Sequence, residues 1–206
     1  MRKIAPLAAA LATALVVPAL GLAAGARDSY VRRHLSFTEQ GAFRPGYQDG
    51  LSVNLVTPPT WSAVRSSKPT FLAFHQGSSR CRYSISVTTR LAADTRQTPA
   101  EHVAAALPVP SSPYLLDQGT RNSSTAWRVI RLARPGSSGS VSLRAMRADH
   151  RHLGTGDVAW QETVVAATSR SSDECHAGTY RSALGPQIGD ALATATGRAY
   201  LIRRGR

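Results

Sequence analysis

Cysteine is almost missing from this chain of 206 residues, and lysine and the carboxylates are scarce too. There are two cysteines, two lysines (Lys3 and Lys68), and 12 Asp plus Glu against 25 Lys plus Arg. Cys81 and Cys175 stand far apart, so a redox-active CxxC spacing is absent. The only adjacent acidic pair, Asp173-Glu174, lies beside Cys175, and neighbours on a loop do not supply the two flanking carboxylates a glycosidase needs. The sequence also has no phosphate loop, dinucleotide fingerprint, G-x-S-x-G elbow or internal repeat. After residue 26, no apolar run is long enough to span a bilayer.

What is there begins with Met1-Arg2-Lys3, an apolar stretch from Ile4 to Ala24, and then Ala24-Gly25-Ala26. A positive start, an apolar middle and a small-x-small site have the pattern of a secretory signal peptide. Residues 1–26 are expected to be removed, with cleavage between Ala26 and Arg27 leaving a soluble product. An uncleaved anchor is the alternative, weakened by Pro6, Pro18 and the Ala-rich composition. No cysteine follows the apolar run to accept a lipid, and Arg32-Arg33 comes too late for a twin-arginine signal. The remaining 180 residues suit one domain. In an oxidising compartment Cys81 and Cys175 are most economically a disulfide. It would close a loop of about 95 residues and contribute roughly 3–5 kcal/mol. Two free thiols are the alternative.

Without Arg2 and Lys3 the chain keeps 23 basic residues against 12 acidic, a net charge of +11. Such a surface attracts anionic partners: cell-wall polymers, acidic lipids or nucleic acid. The arginines are scattered, however, apart from Arg203-Arg204-Gly205-Arg206, which fits an ordinary solvated surface better than a dedicated patch.

Along the chain, residues 27–50 read as a polar lead-in carrying at most a short strand. Leu51–Val56 alternates as a strand with one buried face, ended by Pro58-Pro59, with Trp61 as an anchor. Thr70–His75 is a short apolar strand, and Tyr83, Ile85 and Val87 share one face of the strand after Cys81. Thr98-Pro99-Ala100-Glu101 starts a helix to about Leu107, with Thr98 as cap and Glu101 reaching back to it. A strand is expected at Tyr114–Gln118, then a meander over Thr125–Ala133, Ser140–Ala148 and Val158–Thr168. A closing helix at about Pro186–Thr196 puts Ile188, Leu192 and Ala195 on one face and Gly197 at its C-cap. The domain is taken as 51–197, followed by a basic C-terminal tail, 198–206.

This order, and the stretch Leu51–Trp61 in particular, resembles the opening strand, prolines and tryptophan of the exported Mog1/PsbP-like envelope proteins of actinobacteria, many of them lipoproteins. The similarity extends at pattern level over most of residues 50–197. It implies an α+β fold, a mainly antiparallel sheet flanked by two or three helices, and a non-enzymatic binding or accessory module. It transfers no functional residue. The missing lipobox cysteine and the Cys81/Cys175 pair depart from the family pattern.

Three clusters have a chemical reading to weigh. His150 and His152, two apart on an extended segment, could share a metal with Asp149 or Asp157 as third ligand; the plainer reading is a polar hairpin end with solvent-facing histidines. His75 near Ser78 and Ser79, and the Gly136-Ser137-Ser138-Gly139 stretch, could suggest a serine nucleophile, but both read as turns. Asn122-Ser123-Ser124 matches a glycosylation sequon, and Trp61, Trp127 and Trp160 read as core residues. No catalytic, cofactor-binding or metal residue is assigned, and no cofactor is expected. The expectation is an exported, non-catalytic binding or accessory domain at or outside the cell envelope. Its partner would be an envelope protein, a lipid-like molecule or an anionic cell-wall polymer; nucleic acid is not favoured. An electrostatic binder of anionic polymers or lipids and an exported hydrolase are the alternatives.

Overall fold

The structure is a computed structural model that describes residues 30–40, 43–64, 70–74, 82–109, 114–132, 142–169 and 184–204. Among the described residues ten strands and two helices follow in the order β1 (Val31–Gln40), β2 (Tyr47–Thr57), β3 (Trp61–Val64), β4 (Thr70–Phe74), β5 (Arg82–Ala93), α1 (Pro99–Ala106), β6 (Leu115–Arg121), β7 (Thr125–Arg131), β8 (Ser142–His152), β9 (Val158–Ser169), α2 (Gly185–Thr194) and β10 (Thr196–Arg203). They form two antiparallel sheets: a seven-stranded sheet ordered β3-β4-β5-β9-β8-β7-β6 and a three-stranded sheet ordered β1-β2-β10. The mainly antiparallel α+β class read from the sequence is thus observed, divided into two sheets.

Side-chain alternation explains the layering. On β5, Tyr83, Ile85 and Val87 point to one face of the large sheet, joined there by Val165 and Ala167 of β9 and by Leu143 and Ala145 of β8. Ile188 and Leu192 of α2 and Val53 and Leu55 of β2 close over them, so α2 and the small sheet cover this face together. The opposite face carries Met146, Ala148 and Trp160, covered by Val103 and Leu107 at α1. Helix α1 begins as expected: Glu101 N–H donates to Thr98 Oγ1 at 3.3 Å, and Thr98 N–H donates to Glu101 Oε2 at 2.8 Å.

Several boundaries differ from the sequence reading. The lead-in holds the ten-residue strand β1, and β2 starts at Tyr47. Residues 196–203, the start of the expected tail included, are β10. Both strands look polar because only one face of the small sheet is covered, and arginines interrupt the apolar positions. Trp61 opens the short strand β3. Gly197 lies inside β10, not at a helix cap; α2 ends at Ala195, whose backbone is already extended at φ −57° and ψ 145°. Gly197 is required for another reason, since a Cβ there would stand 2.8 Å from the Gln161 amide. Cys81, Cys175, Ala26 and Arg27 lie outside the described residues, as do the 1–26 segment, His75, Ser78, Ser79, residues 136–139 and Asp173-Glu174.

Candidate functional site

The face of the large sheet under α2 becomes polar toward one end. Arg147 and Asp149, two apart on β8, point the same way and pair at two points, Nε to Oδ2 at 2.9 Å and Nη2 to Oδ1 at 2.8 Å. Thr125 Oγ1 donates to Asp149 Oδ1 at 2.7 Å. Arg147 Nη1 also donates to the carbonyls of Leu192 and Ala193, placing a cation where the end of α2 leaves acceptors open. Gln161, opposite Asp149, donates from Nε2 to Ser52 O on β2 at 3.1 Å and to Arg198 O on β10 at 3.4 Å, and accepts from Arg151 Nε at 3.1 Å. One buried polar layer therefore fastens α2 and strands β2 and β10 of the small sheet to the large sheet.

On the opposite face the rings stack in a column. Trp160 lies between His102 of α1, with centroids 4.6 Å apart and planes within 16°, and His150 of β8 at 4.8 Å. Buried Glu162 accepts from His102 Nε2 at 2.8 Å and from Arg90 Nε at 2.6 Å. Thr95 Oγ1 stands 3.4 Å from His102 Nδ1. The order hydroxyl, imidazole, carboxylate is that of a hydrolytic triad, but the roles differ. Thr95 gives its proton to Gln97 Oε1 at 2.9 Å, and His102 is sealed against Trp160. This cluster pins α1 to the sheet.

The metal reading meets the alternation of β8. His150 and His152 do share a face, with ring centroids 5.9 Å apart. Asp149 points to the other face and is committed to Arg147 and Thr125, while Asp157 accepts from Arg44 and Thr155. The nearest acid to His150 is Asp94, at 3.6 Å. Among the described residues no group of three His, Cys, Asp or Glu side chains is placed to hold a metal ion. Both histidines stand at the hairpin end of β8, and His152 is exposed there; His150 instead is half-buried and packs on Trp160. Trp61 and Trp160 are buried as expected, and Trp127 is half-buried. Asn122 is exposed in a 3-10 turn at φ 57°, a left-handed conformation that asparagine tolerates.

Two surfaces are open. A groove of about 500 Å³ runs between α1 and the β6–β7 edge, lined in part by Glu101, Gln118, Thr120 and Arg128. Its polar groups are engaged: Glu101 in the helix cap, and Arg128 with Leu107 O and Gln118 Oε1, each at 3.2 Å. The second surface is the outer face of the small sheet. There Tyr200 of β10 lies over Gly50 of β2, its directly opposite residue; a Cβ on Gly50 would fall 2.3 Å from the ring. Farther along the same face His34 and Asn54 meet at 2.7 Å, and Asn54 Nδ2 donates to Thr196 Oγ1 at 3.3 Å. Sequence reading passed over this face because it carries short polar residues. The clue was the apolar Tyr200 and Ile202 between Arg198 and Arg203.

Among the described residues no helix is long and apolar enough to cross a membrane. No protein-family model and no curated protein matches the chain. Among solved structures it is similar to the crystal structure of the Ran-binding protein Mog1p of Saccharomyces cerevisiae, with 10% sequence identity and a TM-score of 0.40, over 82% of this chain and 96% of that one. At this level of similarity the likeness carries no conclusion about family, partners or chemistry.

Proposed function

We propose that this chain is an exported, non-catalytic binding domain that acts at or outside the cell envelope. The observation that carries the binding role is where the reactive side chains go. Asp149, Glu162 and His102 are buried and bonded to Arg147, Thr125 and Arg90 or to one another, as parts of the scaffold. Export rests on the pattern of residues 1–26. A Cys81–Cys175 bridge belongs to the same proposal. Strand β5 starts at Arg82, β9 ends at Ser169, and Tyr83 pairs with Ser169, so both cysteines lie near in sequence to the same end of the large sheet.

Intact-mass analysis of protein collected outside the cell tests this directly. The expected species starts at Arg27 and takes up no alkylating reagent before reduction. A species that keeps Met1 or has two alkylatable thiols would overturn the export or bridge proposal. Capture from envelope extract by the oxidised protein should return a specific partner. In a broad substrate screen, hydrolysis abolished by Ser78→Ala or His75→Ala would replace the binding reading with the hydrolase alternative.

A second reading, electrostatic attachment to an anionic envelope polymer or lipid, is favoured by one observation. The described side chains on the outer face of the small sheet include Arg32, His34 and Arg198 and no carboxylate. Attachment of this kind must weaken steeply between low and physiological salt, because it exchanges counterions for protein charges.

A further inference from the structure

The outer face of the three-stranded sheet combines three features that together specify a ligand. The first is charge. In a chain of net +13, strand alternation sends Arg32 of β1 and Arg198 of β10 to this face, while Asp49 of β2 points inward. Asp190 of α2 sits at the rim of this face, across a small depression from Val56. The second is an open aromatic ring. Tyr200 is 52% exposed although its ring packs down on the Gly50 backbone, so one ring face is covered and the other is available. Ile202, two residues on and pointing the same way, is 40% exposed. The third is a set of neutral hydrogen-bonding groups on the same face: Gln48 and Ser52 on β2, with Asn54 and Thr196 bonded to each other and Asn54 also to His34.

We propose that this face binds an acidic polysaccharide, with Tyr200 stacking on a sugar ring and Arg198 and Arg32 pairing with its carboxylates. The proposal rests on the anionic-polymer reading above and gives that reading a face and a substrate class. A flat aromatic ring covers the C–H face of a pyranose while its neighbours reach the hydroxyls. Guanidinium matches carboxylate with two parallel hydrogen bonds. Arg32 stands opposite Val56 and Arg198 opposite Ser52, on strands either side of β2. From strand spacing and rise they lie about 16 Å apart, which suits a chain-shaped ligand and not a single sugar. A nucleic acid would demand more phosphate partners than two arginines and a histidine supply, and would leave the amides and hydroxyls with little to do.

The test uses the purified chain with three probes at physiological salt: polygalacturonate, neutral dextran and single-stranded DNA. Polygalacturonate should bind and dextran should not. Tyr200→Ala and Arg198→Ala should each weaken binding about tenfold, in line with one lost stacking or charge-assisted contact. Tyr200→Phe, which keeps the ring, should bind as the parent does, and Arg144→Ala, at an exposed position on the α1 side of the large sheet, should have no effect. If Tyr200→Ala does not fold, Arg198→Ala and Tyr200→Phe still decide. Polygalacturonate binding indifferent to Tyr200 and Arg198 would overturn this face and leave the anionic-polymer reading standing. Tighter binding to DNA would overturn the substrate class. No binding to either polyanion would overturn both.

Discussion

In the seven-stranded sheet the ring of Trp127 covers Gly119; in the three-stranded sheet the ring of Tyr200 covers Gly50. The backbone problem is the same in each case, since a glycine in a strand has no side chain to pack and an opposite aromatic ring fills the gap. The surroundings differ. Trp127 donates from Nε1 to Asp117 Oδ2 at 3.1 Å and packs against the main core under α2, whereas Tyr200 is half exposed. The buried acids repeat the contrast. Asp149 in the large sheet has Arg147 and Thr125, while Asp49 in the small sheet is fully buried and neither oxygen makes a hydrogen bond of ordinary geometry. The large sheet pairs its buried charges internally, though Trp160 Nε1 is left without a partner, and serves as scaffold. The small sheet leaves one aromatic ring half exposed on its outer face.

The contrast breaks most visibly at Arg147. Arg147→Ala strands Asp149 in the core and removes the donor to the last carbonyls of α2. Unfolding free energy should fall by about 3–5 kcal/mol, as for other broken buried pairs. Replacing both members, Arg147→Met with Asp149→Leu, should recover most of that loss, because no charge then remains buried. Urea denaturation of the three proteins measures it. A single variant as stable as the parent would show that the polar layer does not hold α2 in place.

The two rings give the next effect. Trp127→Ala should cost about 2–3 kcal/mol, since a large, half-buried side chain packed on the core is lost. Tyr200→Ala, at a half-exposed position, should cost under about 1 kcal/mol. Equal losses would mean that the small sheet's outer face is structural and not a working surface. The corresponding glycines sharpen the point. Gly50→Ala must push the Tyr200 ring off the sheet, so it should impair polygalacturonate binding while the melt changes little.

How much of this was legible in the sequence follows from the same division. Strand β5 could be read because its buried positions alternate with exposed ones, β7 and β9 because both faces are covered over much of their length, and helix α1 because it carries a capping signal. Strands β1 and β10 could not, since one side of each meets solvent and their apolar positions are interrupted by Arg33, Arg198 and Arg203. The pairing of His102 with Glu162, 60 residues apart, joins a helix to a strand and leaves no local spacing to find. His150 and His152 were found to share a face, as period 2 requires, and the same period sent Asp149 away from them.

The smallest effect is the most direct probe of the small sheet's buried acid. Burial raises the Asp49 pKa above its ordinary value, and the nearby Phe43 amide offsets only part of that. Between the ordinary and the raised value the folded chain binds a proton that the unfolded chain has already lost, so stability falls as pH rises through this window. Above the raised value the ionised carboxylate keeps its full destabilising contribution; below the ordinary value that contribution is gone. Asp49→Asn removes the titration and keeps the shape. The variant should therefore be the more stable of the two at neutral pH, and its denaturation midpoint should vary less with pH through the acidic window than the parent's. Parallel curves would mean that Asp49 finds a partner in solution, and the difference between the two sheets would then rest on their aromatic rings alone.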